Sequence, residues 1–125
     1  MKNALAAVLL AAVLGACASM GGTSMPAKFE GGVLVNAEGM TLYTFDRDTA
    51  GNGKSACNGP CIALWPGLKA TDTDRASGDW SVVTRDDGSR QWAHRGKPVY
   101  LWVKDQKPGD KTGDGVNKVW HVIAQ

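Results

Sequence analysis

Two stretches of this chain, GMTLYTFDRD at residues 39–48 and GKPVYLWVKD at residues 96–105, are variants of one pattern. Each has a glycine, a tyrosine, an aromatic residue two positions later and an aspartate three positions after that. In a β-strand this spacing places the two aromatic side chains on one face and the aspartate on the opposite side or just past the strand end. The repeated pattern predicts two similar units that share one core. The motif residues are Tyr43, Phe45, Asp48, Tyr100, Trp102 and Asp105.

The segments around the two motifs extend the repeat. A Gly-rich polar loop follows each motif, and then an aliphatic residue followed by a tryptophan, at residues 64–65 and 119–120. Upstream, VLVNAEG at 33–39 resembles VVTRDDG at 82–88, which makes RQWAHR an extra segment of the second unit. We therefore predict repeat units at about residues 30–68 and 80–123, inside one domain at residues 29–125.

The local pattern of both units is that of β-strands. Short runs of branched and aromatic residues are separated by turn sequences rich in Gly, Asp and Asn. Only residues 61–65 could form a helical turn, and the 16 glycines and the lack of a 3.6-residue period exclude a helical bundle. We predict an all-β fold, a small antiparallel β-sandwich or barrel-like domain of two pseudo-equivalent units with long Gly-rich loops.

The amino-terminal segment has the features of a secretory signal. Lys2 precedes the apolar run ALAAVLLAAVL at residues 4–14, which is too short to span a bilayer as a helix of about 20 residues. The sequence LGAC that ends at Cys17 resembles a bacterial lipobox, which implies removal of residues 1–16 and acylation of Cys17. Several acyl chains anchor a protein stably, and residues 17–28 are predicted to be a flexible tether.

The charge of the processed chain excludes one class of partner. Loss of Lys2 leaves 13 basic against 12 acidic residues, so the net charge is close to zero. Since nucleic-acid binding requires a strong basic surface, we predict no nucleic-acid partner. Gly53-Lys54-Ser55 resembles the end of a phosphate-binding loop, but Asp48 stands where its first glycine belongs, so no nucleotide is predicted.

The cysteines leave two alternatives. With Cys17 acylated, Cys57 and Cys61 are the remaining pair, and an oxidising compartment predicts a disulfide between them. The alternative is copper, because thiolates and imidazoles suit Cu(I), and His94 and His121 are available as further ligands. No cofactor is predicted by the primary interpretation. An acidic loop that begins at Asp46 matches a calcium loop at two positions only.

Together these residues resemble a bacterial family of secreted-repeat lipoproteins that carries the motif Y-x-(F/W/Y)-x-x-D. The resemblance covers about residues 30–122, including C-x-G-x-C with A-x-W-P at 57–66, D-G-x-x-Q-W at 87–92 and G-D-x-x-G-D-G at 109–115. It implies a two-repeat architecture in the cell envelope and no particular activity. Relatives often carry an aromatic residue at the position of His94, so the resemblance implies no shared catalytic role for it.

The sequence points away from hydrolytic enzymes, because neither G-x-S-x-G nor H-E-x-x-H occurs. We predict a lipid-anchored envelope protein, non-catalytic, with a binding or structural β-domain; the bilayer is its partner through acylated Cys17. Ala18 after the lipidated cysteine favours the outer membrane, facing the periplasm, in a Gram-negative cell. The alternative function is a periplasmic copper-binding or redox-handling protein that uses the Cys57/Cys61 pair.

Overall fold

The computed structural model describes residues 25–125, in which seven short strands, one α-helix and a 3₁₀ helix form. The strands are β1 (Ala27–Glu30), β2 (Val33–Asn36), β3 (Tyr43–Phe45), β4 (Trp80–Thr84), β5 (Arg90–His94), β6 (Lys97–Pro98) and β7 (Trp120–Val122). The helix α1 spans Pro60–Leu64, and the 3₁₀ helix spans Val116–Lys118. None of the helices formed by residues 25–125 is long and apolar enough to cross a membrane.

The predicted signal peptide and Cys17 lie outside the described residues. Because β1 begins at Ala27, the final two positions of the predicted tether, Ala27 and Lys28, belong to the folded domain.

All strand pairs are antiparallel, which confirms the predicted all-β class. The sheets contain β1 with β2, β3 with β7, and β4 with β5 and β6. Within residues 25–125 the sheets do not close into a barrel. Each unit is a hairpin followed by a third extended segment, because Thr41 pairs with Val35 in the first unit and Pro98 pairs with Ala93 in the second.

The structure corrects the predicted alignment upstream of the motifs. β2 corresponds to residues 91–94 of β5, since both strands precede the third segment of their unit and pair with it. RQWAHR is therefore the counterpart of VLVN, not an added segment. The second unit is longer because residues 85–89 connect its hairpin, whereas Gly31 and Gly32 suffice in the first. The prediction matched two glycine-containing turns that occupy different places in the meander.

The two units are interlocked at their third segments. β3 pairs with β7 of the other unit, and Asp46 N–H continues this pairing by donating to Val119 O at 2.8 Å. The equivalent bonds of the second unit run from Leu101 N–H to Pro66 O at 2.7 Å and from Val103 N–H to Leu64 O at 3.1 Å. Each unit thus closes its sheet with the end of the other, so neither has a complete sheet alone.

A pseudo-two-fold axis passes between the two motif tyrosines. Tyr43 N–H donates to Tyr100 O, and Tyr100 N–H donates to Tyr43 O, both at 2.9 Å. Both tyrosines belong to a mainly aromatic cluster that also contains Trp65 and Trp120, and a second cluster combines aliphatic residues with two further tryptophans. The shared core that the repeated motif predicts is therefore present.

Candidate functional site

Four aromatic rings form a column in which the two units alternate. Phe45 stacks on Trp120 with ring centroids 4.3 Å apart, Trp120 stacks on Trp65 at 3.8 Å, and Trp65 stacks on Trp102 at 3.9 Å. The column is symmetric about its central tryptophan pair, because Phe45 and Trp102 are the equivalent residues of the two motifs. The predicted equivalence of Trp65 and Trp120 as core residues is confirmed, since both are buried.

The motif tyrosines pack edge-on against this column. The Tyr43 ring meets Trp65 at 5.4 Å, and the Tyr100 ring meets Trp120 at 5.1 Å. Gly113 allows the loop to pass close to the rings, because an added Cβ would lie 2.8 Å from Trp65 and 2.9 Å from Tyr43. Edge-to-face contacts suit the charge distribution of aromatic rings, so the column and the tyrosines form one ordered core.

Each motif tyrosine donates its hydroxyl proton to the aspartate of the other motif. Tyr43 Oη lies 2.6 Å from Asp105 Oδ2, and Tyr100 Oη lies 2.6 Å from Asp48 Oδ2. Both tyrosine side chains are fully buried and both aspartates are buried. The repeated motif therefore joins the two units through a reciprocal pair of hydrogen bonds across the pseudo-two-fold axis.

The second oxygen of each aspartate holds the loop that follows it, as its position past the strand predicts. Asp48 Oδ1 accepts a hydrogen bond from Ala56 N–H at 2.6 Å. Asp105 Oδ1 accepts from Thr112 N–H at 2.9 Å and from Thr112 Oγ1 at 2.6 Å. Each carboxylate therefore joins the loop that follows it to the tyrosine of the other unit.

Burial sets the protonation of these pairs. Desolvation, with the hydrogen bond to the partner carboxylate, raises the pKa of Tyr43 and Tyr100 far above the ordinary value of a phenol. Desolvation also raises the pKa of Asp48, and the hydrogen bond from Tyr100 opposes that shift. The phenols remain protonated donors at physiological pH, so the arrangement is suited to holding the fold.

A buried arginine breaks the symmetry of the two pairs. Ser55 Oγ lies 2.6 Å from Tyr100 Oη, and Arg85 Nη1 donates to this serine at 2.8 Å and to Gln91 Oε1 at 2.7 Å. Arg85 Nη2 donates to Asn58 Oδ1 at 2.9 Å and to the carbonyl oxygen of Cys57. A continuous polar chain therefore runs from Asp48 through the core to Arg85.

Sequence reasoning missed Arg85, since nothing in VVTRDDG separates a buried arginine from an exposed one at a hairpin end. Its side chain is 8 % exposed, and no carboxylate of residues 25–125 lies within 4.0 Å of its guanidinium. Arg85 lines a cleft of about 280 Å³ together with Lys69, Arg90 and Asp87. The cleft brings a buried cation and two more accessible cations to one surface.

The predicted disulfide is present between Cys57 and Cys61, whose Cα atoms are 5.2 Å apart. Cys57 is fully buried in the aromatic cluster, and Cys61 packs against that cluster. The bridge joins the loop that Asp48 holds to helix α1, and it restrains the backbone at Cys57, whose carbonyl oxygen accepts from Arg85.

The other proposed copper ligands lie in separate places. His94 packs against Trp80 at 4.9 Å and lines a different cavity of about 500 Å³ with Phe29. Desolvation, then the neighbouring Arg95, lowers the pKa of His94. His121 contacts Asp46 at 2.9 Å on the surface. Among residues 25–125 no three His, Cys, Asp or Glu side chains are grouped to hold a metal, so the four-residue set is not assembled.

Comparison with known proteins agrees with the duplication. A family model described as a secreted repeat of unknown function matches the chain twice, at residues 28–69 and 81–124. The two matches coincide with the two interlocked units and include both tyrosine motifs. No curated protein and no solved structure matches the chain.

Proposed function

The chain belongs to the family of secreted repeats of unknown function, and on that premise we propose that it is a lipid-anchored envelope protein with a non-catalytic binding domain. The proposal has two parts, the anchor at Cys17 and the role of the folded domain. They depend on different residues and are tested separately.

The reciprocal tyrosine–aspartate pairs support the non-catalytic part. The tyrosine hydroxyls and aspartate oxygens of both motifs are all hydrogen-bonded within the domain, and the four side chains are buried. Catalytic acids and bases must reach a substrate atom within hydrogen-bond distance. The residues that define the family pattern instead hold two units together, which leaves surface clefts of the rigid frame as the places for a partner.

The sequence before the domain supports the anchor. LGAC at residues 14–17 closes an apolar segment of signal-peptide length, and nine residues, 18–26, lie between Cys17 and Ala27, where β1 begins. Most of these nine residues are small or polar. An acylated Cys17 on such a tether would keep the domain near the membrane while allowing it to sample different orientations. Outer-membrane placement in a Gram-negative cell is part of this proposal.

The anchor is tested by Cys17→Ser, with Cys61→Ser as a matched cysteine replacement that spares the lipobox. The Cys17→Ser protein should lose its acyl mass and leave the membrane fraction or remain unprocessed, whereas Cys61→Ser should stay with membranes. Mass spectrometry and fractionation measure both. Equal membrane association of the two variants at native mass would reject the anchor.

A further inference from the structure

We propose that the cleft beside Arg85 binds a small organic oxyanion, a molecule that carries a carboxylate or phosphate group. This inference deepens the proposed binding role and depends on the domain alone, not on the anchor. It rests on the charge, burial and size of the cleft.

Three cations line the cleft against a single carboxylate. Lys69, Arg85 and Arg90 contribute positive charge, and Asp87 contributes the negative one. Asp87 already accepts hydrogen bonds from Ser89 N–H at 2.9 Å and from Ser89 Oγ at 2.6 Å. Within residues 25–125 none of the three cations lies within 4.0 Å of a carboxylate. The cleft therefore has two positive charges in excess, which favours an anion.

Arg85 distinguishes this cleft from an ordinary solvated basic patch. Its side chain is 8 % exposed, and the partners of Nη1 and Nη2 are all neutral oxygens. Asp48 and Asp87 are close enough to interact with Arg85 through space, but neither contacts its guanidinium, so neutral acceptors make all of its hydrogen bonds to Nη1 and Nη2. An oxyanion at the cleft would add a negative charge close to Arg85, and the exposed Lys69 can donate to its carboxylate or phosphate oxygens.

The supporting residues hold Arg85 in place before any ligand arrives. Gln91 accepts from Arg85 through Oε1 and donates from Nε2 to Val99 O at 2.9 Å, while its side chain fills the space beside Gly67. Ser55 connects the guanidinium to Tyr100, and so to one of the tyrosine–aspartate pairs that join the two units. Because the N–H groups of Nη1 and Nη2 already have acceptors, Arg85 contributes a positive charge at a fixed position and not a free donor.

The volume and walls of the cleft define the size of the ligand. About 280 Å³ is near the lower end of small-molecule sites and exceeds the volume that a bare phosphate needs. Ile62 and Pro66 provide apolar wall next to the cations. The cleft therefore fits an anion that carries a compact organic body, of the size of a sugar acid or sugar phosphate.

The test is calorimetric titration of the detergent-solubilised full chain with three probes of similar size: glucose 6-phosphate, glucuronate and uncharged glucose. We expect at least one anionic probe to bind with a Kd of about 1 mM or tighter, glucose not to bind, and added salt to weaken the binding. Absence of binding by both anions up to about 10 mM, or equal binding of glucose, would overturn the proposal.

Lys69→Gln and Lys104→Gln form the matched pair of variants, because both remove one exposed lysine charge and only Lys69 lines the cleft. Lys69→Gln should weaken anion binding about three- to tenfold, and Lys104→Gln should leave it unchanged. Equal weakening by both would mean unspecific attraction by net charge and would reject the cleft.

Vesicles separate a soluble ligand from a lipid headgroup. The full chain should bind the anionic sugar in solution, and vesicles of phosphatidylglycerol in phosphatidylcholine should not compete for the cleft better than pure phosphatidylcholine vesicles. Binding to the anionic vesicles alone, lost in Lys69→Gln and without a response to soluble anions, would overturn the assignment to a small molecule. Failure of the anchor test would leave these titrations unaffected, so the two proposals fail separately.

Discussion

Double-mutant cycles on the tyrosine–aspartate pairs test whether the two units are interlocked as described. The four variants are Tyr43→Phe, Tyr100→Phe, Asp48→Asn and Asp105→Asn, chosen because each keeps the shape of its side chain. Tyr100→Phe would leave Asp48 Oδ2 without the hydroxyl donor that lies 2.6 Å away, and Tyr43→Phe would do the same to Asp105 Oδ2.

The expected magnitude follows from the charge and burial of the pairs. A hydrogen bond to a charged group contributes about 1.5–3 kcal/mol, and these two bonds are short and lie between buried side chains. Each Tyr→Phe variant should therefore lower the free energy of unfolding by about 1.5–3 kcal/mol. Because each tyrosine is bonded to the aspartate of the other motif, the coupling energy should also be about 1.5–3 kcal/mol for Tyr43 with Asp105 and for Tyr100 with Asp48.

The control is the coupling within a motif, Tyr43 with Asp48 and Tyr100 with Asp105. These pairs share no hydrogen bond, so their effects should add to within about 0.5 kcal/mol. The assay is guanidinium denaturation of residues 25–125 at pH 7 with the disulfide intact, followed by tryptophan fluorescence. Strong coupling within motifs and weak coupling between them would refute the interlocked arrangement.

Three other perturbations address separate features. Burial lowers the pKa of His94 below 6.5, so the free energy of unfolding of the wild type should fall as pH drops from 6.5 through the lowered value. His94→Phe should lose less stability between pH 7 and 5 in urea melts. An equal loss in the wild type and the variant would contradict this. Gly113→Ala should cost about 1–3 kcal/mol in the same melts, because its Cβ would press on Trp65 and Tyr43; unchanged stability would show that the loop yields. Reduction of the Cys57–Cys61 bridge, which closes a five-residue loop, should cost about 2 kcal/mol by chemical denaturation, and no loss would mean that the bridge does not restrain the unfolded chain.

The features that the sequence determined by itself are local or repeated ones. Alternating aromatic residues and glycine turns define antiparallel strands, because these preferences depend on neighbours within a few residues. The disulfide was predictable for the same reason, since Cys57 and Cys61 are four positions apart. The bonds from each aspartate to its following loop, as Asp48 makes to Ala56, also follow from proximity along the chain.

Only the tertiary structure decided which tyrosine meets which aspartate. Tyr43 and Asp105 are 62 residues apart and Tyr100 and Asp48 are 52 apart, and the repeated motif is equally compatible with bonds inside each unit. The burial of Arg85 was likewise invisible, because the acceptors around its guanidinium come from a distant loop and from the next strand. Docking of the two units brings these groups together, and a sequence that repeats one pattern leaves open whether its units close on themselves or on each other.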